Sequence, residues 1–154
     1  MIVIAPYARP LRNGKPHPKD YPYWEELVPL IDEPIIQVGV QGEKQLVPDF
    51  RKNLSLTELG ELVKEGKTWI AVDSFFQHFC WDLGKKGIVL FGQSNPEIFG
   101  HEENINLFAK KEIGPGRWSP YFREQQFWLW EQAEVIPEAF VKPEVVLDNL
   151  KKFF

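Results

Sequence analysis

The feature that most constrains the fold is a series of short apolar runs, separated by segments with helical spacing. The clear runs are Ile2–Ala5, residues 35–40, Thr68–Val72 and residues 88–92, and a brief further strand is predicted at 45–49. A strand that is covered on both faces has a continuous apolar sequence, whereas a half-exposed strand alternates. Such runs in alternation with helices indicate a parallel α/β sheet with right-handed crossovers. We therefore predict a Rossmann-like, doubly wound sheet with strand order 3-2-1-4-5.

The segments between these runs carry helix signals. Residues 23–31 place apolar side chains at i, i+3, i+4 and i+7. Ser55 with a glutamate three residues later forms a capping-box sequence, which predicts a helix to about Glu65. A third helix is expected over residues 75–83, and residues 143–154 predict a terminal helix that packs on the sheet.

Length and composition favour one domain that spans residues 1–154, since 154 residues bury a sufficient core and no repeat or long linker interrupts them. The net charge of −4 argues against binding to nucleic acid. A single cysteine, Cys80, excludes an internal disulfide and predicts a buried, inert thiol in a reducing compartment. No apolar run is long enough to span a membrane, so a cytoplasmic location is expected.

One basic segment stands out in this acidic chain, between the first strand and the first helix. Its charged residues are Arg9, Arg12, Lys15, His17 and Lys19. A loop at the carboxyl end of a strand is well placed to bind an anionic ligand. A solvated surface loop is the alternative, and the sequence leaves both interpretations open.

Polar side chains follow two of the predicted strands. Asp73 and Ser74 come directly after Thr68–Val72, and Ser94 and Asn95 follow the next strand. A serine at the start of a helix, together with unpaired backbone N–H groups, is typical of a phosphate site. The alternative is that Asp73 or Ser74 only caps the helix.

His78 lies one helical turn after Ser74, so both side chains are expected at the same edge of the sheet, although a histidine between aromatic residues is more often structural. The sequence has no Walker loop, no GxGxxG motif, no glycine-flanked nucleophilic serine and no metal-ligand spacing. These absences weaken hydrolase and P-loop hypotheses.

The order of these residues resembles a signature of glycosyltransferase family 9, the ADP-heptose:lipopolysaccharide heptosyltransferases. The similar stretches are VDSFFQH and GIVLFGQSNPEIFG, and the likeness covers about residues 2–100. It corresponds to the C-terminal, nucleotide-sugar-binding half of that family's GT-B fold. The departures are Phe75 in place of a glycine and Gln93 in place of a proline.

The resemblance implies a diphosphate-binding turn made by Ser74 and the backbone of Phe75 and Phe76, with Asp73 and His78 in support. The resemblance also implies that other side chains contact the diphosphate, the nucleoside and the sugar of the same ligand. Lys19, or else Lys15 or Arg9, would neutralise the diphosphate, Glu43 would contact the ribose or base, and Ser94 and Asn95 would border the sugar.

The resemblance further implies a nucleotide or nucleotide sugar, such as an ADP-sugar, as ligand, and no other cofactor or metal. In the family, the acceptor site and the catalytic carboxylate belong to the N-terminal half, so no catalytic residue is assigned here. Hexosyl or heptosyl transfer would then need a homo-oligomer or a separate partner chain. The alternative hypothesis is a non-catalytic interaction, ligand-sequestering or sensing protein, with aromatic residues near 118–130 as its contact surface.

Overall fold

The computed structural model describes residues 1–109 and 130–154. Its six strands are β1 (Ile2–Ala5), β2 (Ile35–Gly39), β3 (Phe50–Lys52), β4 (Thr68–Val72), β5 (Ile88–Leu90) and β6 (Ile105–Leu107). They form one parallel sheet in the order β3-β2-β1-β4-β5-β6. The predicted Rossmann-like α/β sheet and its strand order are confirmed, and one strand is added at the β5 edge.

The helices in the described residues cover both faces of this sheet. They are α1 (Trp24–Leu27), α2 (Leu56–Glu65), α3 (Phe75–Asp82), α4 (Pro96–Phe99) and α5 (Pro143–Leu150), with 3-10 turns at Val28–Leu30, Pro137–Ala139 and Lys151–Phe153. Alternate residues of β1 belong to different cores. Ile2 and Ile4 pack with α1 and α5 on one face, and Val3 and Ala5 pack with α2 and α3 on the other. This two-sided burial explains why the strands have continuous apolar sequences.

The predicted capping box at the start of α2 is confirmed. The Ser55 side chain accepts a hydrogen bond from the backbone N–H of Glu58, and the Glu58 carboxylate accepts one from the backbone N–H of Ser55. The two bonds satisfy donors that would otherwise be unpaired at a helix start. They fix the beginning of α2 at the edge of the sheet where the candidate site lies.

The prediction of a strand at residues 45–49 is wrong, because the third strand is Phe50–Lys52. The reason is the fully buried side chain of Gln37 on β2. Its amide donates to the carbonyl of Lys44 at 2.9 Å and accepts from the backbone N–H of Leu46 at 2.7 Å. A side chain therefore satisfies backbone groups that a strand pairing would otherwise satisfy, and Pro48 has no N–H to donate.

Helix α1 is shorter than predicted because Pro29 lies in its second turn. The segment begins as an α-helix at Trp24 and continues as a 3-10 turn over Val28–Leu30. Proline lacks the N–H of the helical ladder and its ring crowds the preceding carbonyl. The predicted apolar face is nevertheless buried, since Trp24, Leu27 and Ile31 all lie in the core.

Two other predictions concern the C-terminal part of the chain. The terminal helix is confirmed over Pro143–Leu150, with a 3-10 turn after it, and Val146 and Leu150 pack on the sheet. The proposed aromatic contact surface near residues 118–130 lies mostly outside the described residues. Trp130, the described part of it, is fully buried beside Leu11 and so is not a surface contact.

The environment of Cys80 matches its prediction as an inert thiol. It is fully buried in α3, and burial raises its pKa well above the ordinary value. None of the helices in residues 1–109 and 130–154 is long and apolar enough to cross a bilayer.

Candidate functional site

A cleft of about 1160 Å³ lies at the carboxyl edge of the sheet. Its walls come from the ends of β1 and β2, from residues just after β3 and from the β4–α3 connection. The strand order reverses its direction between β1 and β4, and in open parallel sheets ligands bind at such a switch point. The cleft therefore occupies the place where this topology creates a binding site, with a volume suited to a small molecule.

Asp73 organises a buried polar network on one wall of the cleft. Its Oδ1 accepts a hydrogen bond from the Gln77 amide at 2.6 Å, and its Oδ2 accepts one from the Ser94 hydroxyl at 2.9 Å. The Lys19 ammonium lies 3.3 Å from the same Oδ2. Asp73 thus ties the loop after β1, the start of α3 and the end of β5 together. The hydrogen bonds found for Asp73 in the described residues run to side chains.

In the part of the chain that the structure describes, no side chain caps the start of α3, so the interpretation of Asp73 or Ser74 as a simple cap is not supported. Ser74 occupies the N-cap position, but its hydroxyl donates to the carbonyl of Val72 at 3.3 Å. The first N–H groups of a helix have no partner within the helix. Ser74, Phe75 and Phe76 all line the cleft, as expected from the sequence. They differ in depth, because the Phe75 ring is exposed and the Phe76 ring is buried against Trp69.

The basic loop after β1 contributes four of its predicted residues to the cleft and one elsewhere. Arg9, Arg12, His17 and Lys19 line the cleft, whereas Lys15 is exposed and lies outside its lining. Lys19 is nearly fully buried by Asp73 and by the rings of Phe99 and Trp130, at 5.7 and 5.3 Å from its ammonium. Its charge is therefore balanced within the protein. This limits its capacity to neutralise a diphosphate.

The three arginines that line the cleft differ in whether a carboxylate pairs with them. Arg12 pairs with Glu131, and Arg51 forms a two-point pair with Asp49. Within residues 1–109 and 130–154, no carboxylate pairs with Arg9, whose side chain is exposed at the cleft. Arg9 is thus the strongest candidate to bind an anionic group of a ligand.

Glu43 lies at the end of β2, where the resemblance implied contacts to ribose or base. Its carboxylate accepts a hydrogen bond from the backbone N–H of Val40 at 3.0 Å and lies directly against Gly39. A β-carbon at position 39 would overlap this carboxylate, and the Glu43 side chain would have to move aside. Burial raises the pKa of Glu43 above its ordinary value. Tyr7 lines the same region, and burial with the nearby Asp20 and Glu43 carboxylates raises its pKa to about 12.

His78 lines the cleft and forms a pair with a histidine that the sequence did not indicate. Its Nδ1 lies 2.8 Å from Nε2 of His101, so one ring donates to the other. The His101 ring stacks on Trp81 with centroids 4.4 Å apart. Partial burial lowers the pKa of His78, Asp73 opposes this change, and His101 and Lys19 add to it.

Ser94 and Asn95 lie beside the site but not in the lining of the cleft. Ser94 is buried with its hydroxyl on Asp73, and the Asn95 side chain accepts from the backbone N–H of Glu97 at the start of α4. The two polar strand ends are therefore in contact, as expected for neighbouring parallel strands. The second one supports the wall and does not border the cleft.

Sequence reasoning missed several residues that line the cleft. Tyr7 and Arg51 were not selected, although their positions just after β1 and within β3 place them at the carboxyl edge of the sheet. His17 was noted only as part of the basic loop. Its Nδ1 accepts from the backbone N–H of Lys19, and burial with the Lys19 charge lowers its pKa to about 3.

Comparison of the chain with protein-family models, with curated proteins and with solved structures found no significant match in any of the three.

Proposed function

We propose that the protein binds a nucleotide or a nucleotide sugar in the cleft at the carboxyl edge of its sheet. The observation that carries this proposal is the position of the cleft, where the loops after β1 and β4 meet at the switch point of a parallel sheet. The resemblance to the donor half of heptosyltransferase-like glycosyltransferases supports the same ligand class.

The proposed roles follow from the charges of the lining residues. Arg9 would bind the phosphates, since its guanidinium can donate two parallel hydrogen bonds to phosphate oxygens. The uncapped first turn of α3 would add backbone donors and a favourable helix dipole. Glu43, at the end of β2, would accept hydrogen bonds from ligand hydroxyl groups. The Lys19 and Asp73 pair would hold the two loops in position.

If the domain acts within a transferase, an acceptor hydroxyl would displace the nucleoside diphosphate from the anomeric carbon of the donor. Arg9 and the start of α3 would then stabilise the negative charge of the departing diphosphate. The acceptor and the general base would come from a second copy or from a partner chain, as the resemblance implies.

Ligand binding without chemistry is the second candidate, and a specific observation favours it. Two carboxylates line the described part of the cleft, and both are already engaged. Asp73 is neutralised by Lys19, and Glu43 is folded against the backbone of Val40. Neither is an obvious general base for an acceptor hydroxyl. A sequestering or sensing role requires only the binding site.

Isothermal titration calorimetry with ADP, UDP, GDP and their sugars tests the binding proposal. We expect saturable heat for at least one of them, and Arg9→Ala to weaken that ligand about tenfold, the usual order for a lost charge-assisted contact. Lys15→Ala is the matched control, since it removes a positive charge from the same loop outside the cleft lining. No heat from any ligand, at protein concentrations that reveal millimolar affinity, would contradict the proposal.

A further inference from the structure

Three of the side chains that line the cleft are both apolar and exposed. Val40 is 50% exposed, Leu56 is 61% exposed and Phe75 is 62% exposed. Isolated apolar side chains are common on protein surfaces, but a group of them around one concavity indicates a binding surface.

Val40 and Leu56 are brought together by the pairing of β2 with β3. Val40 directly follows β2, and Leu56 is the first residue of α2. Between them, the backbone N–H of Asn53 donates to the carbonyl of Gly39 at 2.9 Å and extends the contact beyond the paired strands. Val40 and Leu56 therefore lie near each other at one corner of the sheet, just beyond the ends of β2 and β3.

Leu56 and Phe75 are brought together by the packing of α2 against α3. The Phe79 ring lies 3.7 Å from the position of a β-carbon on Gly60, so the two helices are in close contact there. Leu56 precedes Gly60 by four residues, and Phe75 precedes Phe79 by four, which places both one turn nearer the cleft on the contacting faces. The Phe75 and Phe79 rings are 5.7 Å apart, in agreement with this placement.

We propose that the apolar clamp, formed by Val40, Leu56 and Phe75, holds a planar heteroaromatic ring of the ligand whose phosphates bind at Arg9. This inference depends on the proposed function and specifies the ligand as a planar ring that carries phosphate, and not a sugar phosphate or a prenyl phosphate. An exposed aromatic ring supplies a flat stacking surface, and the two aliphatic side chains cover the remaining apolar area. Asn53 lines the same part of the cleft and carries an amide that can hydrogen-bond the edge of such a ring.

The clamp also gives the Phe75 side chain a role, whereas the resemblance assigns one only to its backbone. Where the similar family has glycine, this chain places a large ring at the first position of α3. A phenylalanine that contacts no ligand would be expected to pack away from water, yet Phe75 is among the most exposed apolar residues of the described chain. A stacking role explains both its size and its exposure.

Calorimetry with four probes tests the clamp: ADP, inorganic pyrophosphate, adenosine and geranyl diphosphate. We expect ADP to bind more tightly than pyrophosphate and than geranyl diphosphate. Phe75→Ala should weaken ADP about tenfold and leave pyrophosphate unchanged, because stacking on one ring is worth about a factor of ten in affinity. Phe75→Trp should retain ADP binding. Phe154→Ala is the matched control, an exposed phenylalanine outside the cleft lining.

The outcomes separate this inference from the proposed function. If ADP binds and Phe75→Ala leaves its affinity unchanged, the ring lies elsewhere and the clamp is refuted while nucleotide binding stands. If Phe75→Ala strengthens pyrophosphate, or if geranyl diphosphate matches ADP, the clamp is likewise refuted. If none of ADP, UDP and GDP binds, nucleotide binding itself fails and the clamp fails with it. Because Phe75 is exposed, circular dichroism should show an unchanged fold in each variant.

Discussion

The ammonium group of Lys19 and the carboxylate of Asp73 meet 3.3 Å apart on the wall of the cleft, and both side chains are almost fully buried. One residue comes from the loop after β1 and the other from the end of β4. These are the two strands between which the sheet reverses its order. The pair therefore joins the two halves of the sheet at the point where the cleft opens.

Removal of one member of this pair should be costly, because the other charge would remain buried without a partner. Lys19→Met or Asp73→Asn is expected to lower the free energy of unfolding by about 3–5 kcal/mol, measured by urea denaturation. The double variant should lose less than the sum of the two single losses. Lys67→Met is the control, since its pair with Glu33 is partly exposed and should contribute less than about 1 kcal/mol. A double variant whose loss equals the sum of the two single losses would show that the buried pair is not coupled.

Most of the sheet could be predicted from the sequence, because strands buried on both faces carry an apolar side chain at nearly every position. β1 and β4 are examples, with bounds that match the predicted runs. β6 was missed, since Ile105–Leu107 is a three-residue edge strand with a polar residue at its centre. β3 was misplaced because the buried Gln37 side chain, and not a strand pairing, satisfies the backbone before it.

The candidate site was predictable where it depends on strand ends and not where it depends on packing between distant segments. Asp73 and Ser74 were found because they directly follow an apolar run, and both line the cleft. The partner of Asp73 could not be read from the sequence, so Lys19 was assigned to the ligand and not to an internal ion pair. The contact between His78 and His101 likewise depends on how α3 lies against the segment before β6.

Two glycines are predicted to respond oppositely to alanine. A β-carbon at Gly87 would overlap the buried Trp69 ring, so Gly87→Ala should lower the free energy of unfolding by about 1–3 kcal/mol. Gly60 lies within α2, and its added β-carbon would meet Phe79 at an ordinary 3.7 Å. Gly60→Ala should therefore stabilise the protein by about 0.5–1 kcal/mol. Thermal and urea unfolding measure both, and a destabilised Gly60→Ala variant would mean that α2 and α3 pack more closely than described.

Asp20 should make stability fall as the pH rises. Its burial raises its pKa from 3.8 to about 7, with a further increase from Glu43 and an opposing hydrogen bond from the backbone N–H of Ala8. The folded state therefore holds this proton more tightly than the unfolded state, and the stability it provides below pH 3.8 is lost by about pH 7. Asp20→Asn cannot ionise, so its stability relative to wild type should increase by about 1–3 kcal/mol between pH 4 and pH 8. A difference that stays constant across this range in urea unfolding would refute the shift.

The contact between His78 and His101 should be visible in the titration of His78. The pKa of His78 is lowered first by burial and then by the neighbouring His101 and Lys19 charges, whereas Asp73 raises it. His101→Asn removes the His101 electrostatic effect and the ring packed beside His78, both of which lower the pKa of His78, so that pKa should rise toward the ordinary histidine value. NMR titration of the imidazole Cε1 protons measures this directly. Glu103→Gln is the control, because it keeps His101 and a hydrogen-bond acceptor for the Trp81 indole N–H. An unchanged His78 titration in His101→Asn would show that the two rings are not in contact in solution.

A higher pKa would instead mean that His78, at the edge of the cleft, becomes charged more readily when its neighbour is absent. The intact pair therefore keeps His78 neutral to lower pH, where it can accept or donate a hydrogen bond to a ligand without adding a charge.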